Sequence, residues 1–247
     1  MAMRWKLTIE YDGRPFMGWQ HQPHGSSIQK EIETAILKYS GETVRLHGAG
    51  RTDAGVHALG QVAHIDLERA ADGHTVREAI NAYLRPLPIS ILSAEPAPPG
   101  FNARLSARRR RYLYRVLNRP ARPALELGRA WHVHAPLDLD AMRAGAAHLL
   151  GSHDFTSFRA TECQAKSPVK TLDRLDIAHD GTILSFEVDA RSFLHHQVRN
   201  MVGTLMLVGR GRWPPERVAQ ALTARDRAAA GPTAPADGLY LVGVDYD

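Results

Sequence analysis

The stretch Gly-Ala-Gly-Arg-Thr-Asp-Ala-Gly-Val-His-Ala, residues 48–58, is the most informative part of this 247-residue chain. It places one carboxylate, Asp53, among three glycines, with Arg51 two positions before it and His57 four positions after it. A glycine-rich turn at a strand end lets the backbone approach a ligand closely, and a guanidinium beside a carboxyl group keeps that acid ionised. A tight hairpin loop in which Asp53 caps its own backbone is the alternative interpretation.

The residues on both sides of this stretch extend it into a βαββαβ pattern over the first half of the chain. A capping box at Ser26 and Gln29 begins the first predicted helix, which Gly41 ends, and a second box at Thr75 and Glu78 begins the other helix. Alternating apolar residues predict the strands, over 5–11, 44–46, 61–67 and 89–92.

The second half repeats this order, although the halves share no visible sequence identity. Strands are predicted over 108–117, 169–178, 182–190 and 238–246, and helices over 139–149, 193–208 and 214–222, the first ending at Gly151. The segment 223–237, rich in Ala, Pro and Thr, predicts a flexible surface connection. We therefore expect an α+β fold of two tandem ferredoxin-like βαββαβ units, over 1–99 and 100–247. Their mixed, mainly antiparallel sheets would form a platform with helices on its outer face.

The composition is that of a globular protein, with 44% hydrophobic and 23% charged residues. A single cysteine, Cys163, excludes an internal disulfide and suits a reducing compartment. The sequence contains neither an apolar run of membrane-spanning length nor a signal-peptide pattern, so we expect a cytoplasmic protein without a membrane partner. The net charge of +5, carried mostly by arginine, permits a nucleic-acid partner without requiring one.

The string at 48–58 resembles the catalytic-aspartate loop of the TruA family of tRNA pseudouridine synthases. Further motifs match that family in order, at 11–13, 16–22, 101–104, 110–114, 154–158, 192–203 and 238–241. The resemblance implies the pseudouridine synthase fold, a homodimer, and tRNA as the partner. It also implies an isomerase that converts uridines 38, 39 and 40 of the anticodon stem-loop to pseudouridine. This isomerisation loses no atom, so we expect neither a cofactor nor a metal.

The resemblance makes Asp53 the nucleophile and Arg199 its ion-pair partner. Attack on the sugar carbon, attack on the base and removal of a sugar proton stay open as routes, and each needs Asp53 ionised. One nearby guanidinium lowers the pKa of an aspartate by roughly 1–3 units. Arg51 is the alternative partner, or a wedge that fills the gap left by a flipped base. An ordinary surface position is the alternative for Arg199, but an unpaired arginine inside an apolar helix is costly.

The resemblance also places Tyr112 against the target base and Leu239, or Leu241, in an apolar wall of the uracil pocket. Core packing is the alternative for all three, and Tyr114 on the face of Tyr112 is a candidate core residue. Candidate RNA-binding residues are Arg104, Arg108 and Arg110. Because side chains alternate across a strand, only half of the arginines at 108–111 can face one RNA surface.

Two other function classes stay open. A non-catalytic basic RNA-binding platform would not need Asp53. A nucleoside or glycoside hydrolase usually needs a second carboxylate roughly 5–10 Å from the first, and Asp12 and Asp66 are the nearby candidates in the sequence. No zinc-binding string accompanies the histidine pairs at 132, 134 and 195, 196, which we interpret as structural or RNA-contacting.

Overall fold

The computed structural model describes residues 2–246 and divides into two compact units. The first contains the described residues up to Arg108 together with those from Tyr240 onward, and the second is Arg109–Leu239. The boundaries of these compact units differ from the predicted division into 1–99 and 100–247, of which residues 1 and 247 lie outside the described part. The predicted division separates two copies of one order of helices and strands, not two compact units. It therefore stays a prediction.

The first unit has the βαββαβ order predicted from the sequence. Its elements are β1 (Met3–Tyr11), α1 (Ile28–Ser40), β2 (His47–Gly48), β3 (His57–Leu67), α2 (Gly73–Leu84) and β4 (Ile89–Pro96). Strand β1 lies between β3 and β4 and is antiparallel to both, while β2 pairs antiparallel with β3. The resulting order β4-β1-β3-β2 is that of a split βαβ unit.

The last strand, β10 (Leu239–Asp245), adds a parallel pairing to β3 of the first unit. Its residues Tyr240 and Leu241 lie opposite His57 and Ala58, directly after the glycine-rich loop. The strand that follows Asp53 is therefore flanked on both sides where the loop ends.

Periodicity explains the packing of the first unit. On β1, every second side chain is buried, including Trp5, Leu7 and Ile9. On α1, Ile28 and Ile32 are four residues apart and form a buried stripe on one helix face. These two apolar faces build the core that supports the loops at the strand ends.

Both predicted capping boxes are wrong. Ser27, not Ser26, caps α1, and its side chain accepts a hydrogen bond from the backbone of Lys30. Asp72 caps α2 by accepting from the backbone N–H of Thr75 at 2.7 Å. The Ser26 hydroxyl instead donates to the carboxylate of Glu31 at 2.6 Å. Thr75 lies within α2, and its backbone N–H is the donor that Asp72 caps.

The strand predicted over 44–46 is also wrong, because β2 is confined to His47–Gly48. The backbone N–H of Leu46 donates to the carboxylate of Glu33 at 2.9 Å. A side chain on α1 thus takes the hydrogen bond that a strand neighbour would have used.

The second unit contains an antiparallel sheet of the order β5-β9-β8-β7, with β6 parallel to β5. Its elements are β5 (Arg109–Asn118), β6 (Trp131–Val133), α3 (Leu139–Ala147), β7 (Gly151–Asp154), β8 (Val169–Asp180), β9 (Ile183–Ala190), α4 (Gln197–Gly209) and α5 (Glu216–Ala224). The predicted hairpin is confirmed, with Gly181 at φ 59° in its turn. The units confirm the α+β class with mixed, mainly antiparallel sheets.

Two helix boundaries differ from the prediction. Helix α3 ends at Ala147, and Gly151 instead opens β7 with φ 91°. Helix α4 begins at Gln197 because His196 takes the left-handed conformation, with φ 62°, before it. No helix within the described residues is both long and apolar enough to cross a bilayer.

The segment 223–237 lies largely at the surface, as predicted, but the prediction that it is flexible is wrong. The backbone N–H of Gly231 donates to the Thr204 hydroxyl at 2.9 Å, and that of Ala234 donates to the carbonyl of Arg199 at 3.1 Å. Ala234 is buried. Small residues favour flexibility in an isolated segment, whereas here they let the chain lie directly on α4.

Candidate functional site

Asp53 lies in a loop between β2 and β3 whose backbone is held at neighbouring residues. The Thr52 carbonyl accepts a 3.0 Å hydrogen bond from the backbone N–H of Trp19. The Thr52 hydroxyl shares a buried 2.7 Å hydrogen bond with the hydroxyl of Tyr11. The Asp53 carbonyl accepts from the N–H of Val56 at 3.2 Å, closing a turn in which Gly55 has φ 80°. The half-buried Asp53 side chain is thus presented from a fixed backbone.

Two glycines let the segment after β1 pack against this loop. A Cβ atom on Gly18, which has φ +91°, would lie 2.7 Å from the carbonyl oxygen of Thr52. A Cβ atom on Gly13 would lie 2.0 Å from the carbonyl oxygen of Val56. The two segments therefore meet backbone to backbone, and a side chain at either glycine would force them apart.

His57, the first residue of β3, contacts residues on both sides of the Asp53 loop. Its buried ring stacks on Tyr240 with centroids 4.7 Å apart. Its Nδ1 atom accepts from the backbone N–H of Gly13 at 3.1 Å and lies 3.3 Å from a carboxylate oxygen of Asp12. The sequence motif contains His57 but indicates no role for it; its position at the start of the largely buried strand β3 is the signal of a supporting role.

The two carboxylates considered for a hydrolase are both engaged by arginines. Burial raises the pKa of Asp12, but hydrogen bonds from Arg14 outweigh burial and hold that pKa below its ordinary value. Hydrogen bonds from Arg4, at 2.7 and 2.8 Å, lower the pKa of Asp66. A glycosidase acid needs a raised pKa, so neither residue has the environment of that acid.

Arg51, Arg104 and Arg108 are exposed in the first unit. The backbone N–H of Arg104 donates to the side chain of Asn102 at 3.0 Å, and that of Arg108 donates to the carbonyl of Asp245 at 2.9 Å. The backbones of Arg104 and Arg108 are thereby held in place, and both residues are exposed.

Arg110 belongs to the second unit and is half-buried. Its Nη1 atom donates to the carbonyl of Arg191 at 2.5 Å. Its guanidinium thus also braces the loop that follows β9.

The tyrosines at 112 and 114 have different environments although both lie on β5. Tyr112 is half-buried and meets the ring of Phe193 edge-on, at 5.1 Å between centroids. Tyr114 is fully buried, its hydroxyl donates to the carbonyl of Pro235 at 2.8 Å, and burial raises its pKa. Tyr114 is therefore a core residue, and Tyr112 is the more accessible of the two.

Arg199 is oriented by the segment that packs on α4. Its Nε atom donates to the carbonyl of Ala234 at 2.8 Å, and the backbone N–H of Ala234 donates back to the carbonyl of Arg199. A Cβ atom on Gly203, one turn further along α4, would lie 1.7 Å from the carbonyl oxygen of Pro232. This close approach places residues 232–234 directly on α4, where the carbonyl of Ala234 accepts from the half-buried side chain of Arg199.

The remaining candidates of the second unit divide into buried and exposed groups. Leu239 is buried at the start of β10. His195 is exposed, with Nδ1 3.8 Å from a carboxylate oxygen of Glu162. His132 contacts the carbonyl of Arg119 at 2.9 Å, as expected for a structural histidine.

Comparison with known proteins matches most of the chain to a single protein family. The family model described as tRNA pseudouridine synthase matches residues 7–104 and 146–247. A protein of Nitrobacter winogradskyi named tRNA pseudouridine synthase A is 57% identical over 244 residues, which cover 99% of this chain and 96% of that protein. A protein of the same name from Afipia carboxidovorans is 58% identical over 243 residues, covering 98% and 99%. The matched ranges contain Asp53, Arg104 and Arg199, whereas Tyr112 lies between them.

Proposed function

Since this chain belongs to the tRNA pseudouridine synthase family, we propose that it isomerises uridines 38, 39 and 40 of the tRNA anticodon stem-loop to pseudouridine. The observation that carries the proposal is the presentation of Asp53 from a backbone held by Trp19, Tyr11 and Gly18. A carboxylate on such a backbone is preorganised, so little of its orientation has to be acquired in the transition state.

The proposed reaction is an intramolecular transfer with Asp53 as the nucleophile. The bond from the sugar C1′ to uracil N1 breaks, the base turns, and C1′ bonds to C5. The C5 proton leaves and N1 gains a proton, so the reaction is redox-neutral and balances without an external reactant. We therefore expect no redox cofactor and no metal.

Other side chains would support this step. We assign to Arg199 the role of keeping Asp53 ionised, and to Tyr112 the roles of stacking on the base and assisting removal of the C5 proton. Arg51 would occupy the gap left by the flipped uridine, and Leu239 would form an apolar wall of the uracil site. These roles follow from the family resemblance at each position.

Recognition of the substrate would be electrostatic and based on shape. Modification of several neighbouring uridines requires readout of the stem-loop shape more than of base edges. The arginines that would contact the RNA are Arg104, Arg108 and Arg110. A cytoplasmic homodimer completes the proposal, as in the family that the chain resembles.

Release of tritium from tRNA labelled at uridine C5 tests the reaction. Asp53→Asn keeps the size of the side chain and removes its charge, so we expect no tritium release and nearly unchanged tRNA binding. Asp140→Asn, which changes a carboxylate exposed at 93% on α3, is the matched control and should behave as the wild type. Tritium release by Asp53→Asn at the wild-type rate would show that Asp53 is not the nucleophile.

Tritium release and the mass of the treated tRNA together separate the two rival functions. A non-catalytic RNA-binding platform would bind tRNA and release no tritium, whereas a hydrolase would free uracil and change the mass of the tRNA. Isomerisation leaves the mass unchanged. Mapping of pseudouridine in the treated tRNA should place it at 38, 39 and 40, and pseudouridine elsewhere would contradict that assignment.

A further inference from the structure

Residues 101–106, which we call the Arg104 turn, are held by hydrogen bonds within the turn and by hydrogen bonds to other residues of the first unit. Arg4 donates from Nη1 to the carbonyl of Pro99 at 2.6 Å and to that of Phe101 at 2.8 Å. Within the turn, the side chain of Asn102 accepts from the backbone N–H groups of Arg104 and Leu105, both at 3.0 Å. The turn is therefore rigid although it lies at the surface.

Ala103, at the centre of the Arg104 turn, is clamped on both of its backbone groups. Its N–H donates to Nδ1 of His64 at 3.1 Å, and its carbonyl accepts from the hydroxyl of Tyr246 at 2.8 Å. Ala103 itself is fully buried, in a cluster with Ala49 and Val62. The anchor of the turn thus belongs to the core of the first unit.

His64 can hold this clamp only while its Nδ1 atom carries no proton, since that atom accepts the hydrogen bond. Its buried ring stacks on His47 at 4.9 Å and meets Phe101 edge-on at 6.1 Å. Burial, and then the nearby charges of His47 and Arg4, lower the pKa of His64. The clamp is therefore complete at neutral pH.

The Arg104 turn presents two side chains of complementary chemistry. Arg104 is exposed, and Leu105 beside it is 78% exposed. An exposed leucine is common on protein surfaces, but here it stands on a backbone fixed by buried groups. A rigid apolar contact beside a guanidinium suits single-stranded RNA, whose unstacked bases offer flat faces next to phosphates. Fixing the turn beforehand reduces the entropy lost on binding.

We propose that the Arg104 turn is a preorganised RNA contact in which Leu105 packs against the face of an unpaired base of the bound tRNA. Arg104 would contact an adjacent phosphate, and His64 is the positioning residue that sets the turn. This inference rests on the proposed function for the identity of the RNA.

Binding of tRNA to variants of Leu105 tests the contact. Leu105→Ala should weaken tRNA binding about tenfold because it removes most of the apolar area that the leucine would bury against the base, and the loss should appear in KM rather than in kcat. Leu105→Met keeps the apolar surface and should bind as the wild type. Leu92→Ala changes a leucine exposed at 43% on β4 and is the matched control. If Leu105→Ala binds as tightly as Leu92→Ala, the contact is refuted.

Two substitutions of His64 test its positioning role. Asn places an acceptor oxygen near the position of Nδ1, so His64→Asn should retain binding, whereas His64→Leu should weaken it. The losses in His64→Leu and Leu105→Ala should not multiply in the double variant, because both act through the same contact. Equal binding by the Asn and Leu variants, or fully multiplicative losses, would overturn the positioning role.

The proposed function and this inference fail separately. Absence of tritium release by the wild type would refute the isomerase assignment, while tRNA binding by the Leu105 variants would still be measured. Normal tritium release together with unchanged binding by Leu105→Ala would refute only the role of the Arg104 turn.

Discussion

The hydroxyl groups of Tyr11 and Thr52 form a buried hydrogen bond of 2.7 Å, although the two residues are 41 positions apart in the chain. Tyr11 is the last residue of β1, and Thr52 directly precedes Asp53. The first strand of the sheet therefore determines where the backbone next to the candidate nucleophile lies.

Removing this hydrogen bond should loosen the loop. In Tyr11→Phe the Thr52 hydroxyl loses a buried partner, so the free energy of unfolding should fall by about 1 kcal/mol. The kcat for tritium release should fall as well, because Asp53 is held less firmly. Tyr83→Phe alters an exposed tyrosine on α2 and serves as the control. Unchanged kcat and unfolding in Tyr11→Phe would contradict a supporting role of this bond.

A methyl group at Gly18 should separate the two packed segments. Gly18→Ala combines a positive φ with a contact of 2.7 Å to the Thr52 carbonyl, so we expect a large loss of kcat and of stability. Gly41→Ala is the matched control, since Gly41 also has a positive φ but no atom within 4 Å of the added Cβ. Urea unfolding should show a loss greater by at least about 1 kcal/mol for Gly18→Ala. Equal losses of stability in the two variants would show that the positive φ, and not the contact with the Thr52 carbonyl, causes the effect.

The two tyrosines of β5 should respond differently to the same substitution. Tyr114→Phe leaves the carbonyl of Pro235 without its donor, so unfolding should become easier by about 1 kcal/mol with little change in kcat. Tyr112→Phe should lower kcat by about a hundredfold if its hydroxyl assists proton removal, with a smaller effect on unfolding. The opposite pattern, with stability lost at Tyr112 and kcat lost at Tyr114, would reverse the two assignments.

The stability of the first unit should depend on pH through His64. Its pKa is lowered in the folded chain from the ordinary 6.5, so below about pH 6.5 the unfolded chain binds the additional proton first. The free energy of unfolding should therefore fall as pH falls through 6.5, and level off below the folded-state pKa of His64. Above about pH 6.5, the contribution of His64 to the free energy of unfolding is fully present.

The difference between the wild type and His64→Asn, measured by urea unfolding from pH 5 to pH 8, isolates this contribution. Asn does not titrate, while the neighbours Arg4, His47 and Asp66 are present in both proteins. A difference that is constant across this range would show that protonation of His64 is not coupled to folding.

The sequence predicted those features that depend on neighbouring residues. Alternation in β1 and the glycine at 41 are local patterns, and the structure confirms the strand and the helix end. The cap of α1 was missed because Ser26 and Ser27 are adjacent and both carry a hydroxyl group, so the sequence does not show which of them accepts from the N–H of Lys30. Local composition also misled at 223–237, where contacts to α4 hold the small residues.

The sequence by itself determined the family, the βαββαβ order of the first unit and the carboxylate at 53, because these depend on residue type and short-range spacing. Only the tertiary structure showed what holds that carboxylate. Tyr11, Gly18 and His57 reach the loop through strand pairing and backbone contact, which bring together residues about 40 positions apart. The clamp of Ala103 by His64 and Tyr246 has the same origin. Such contacts are decided by how whole elements pack, and no local pattern encodes them.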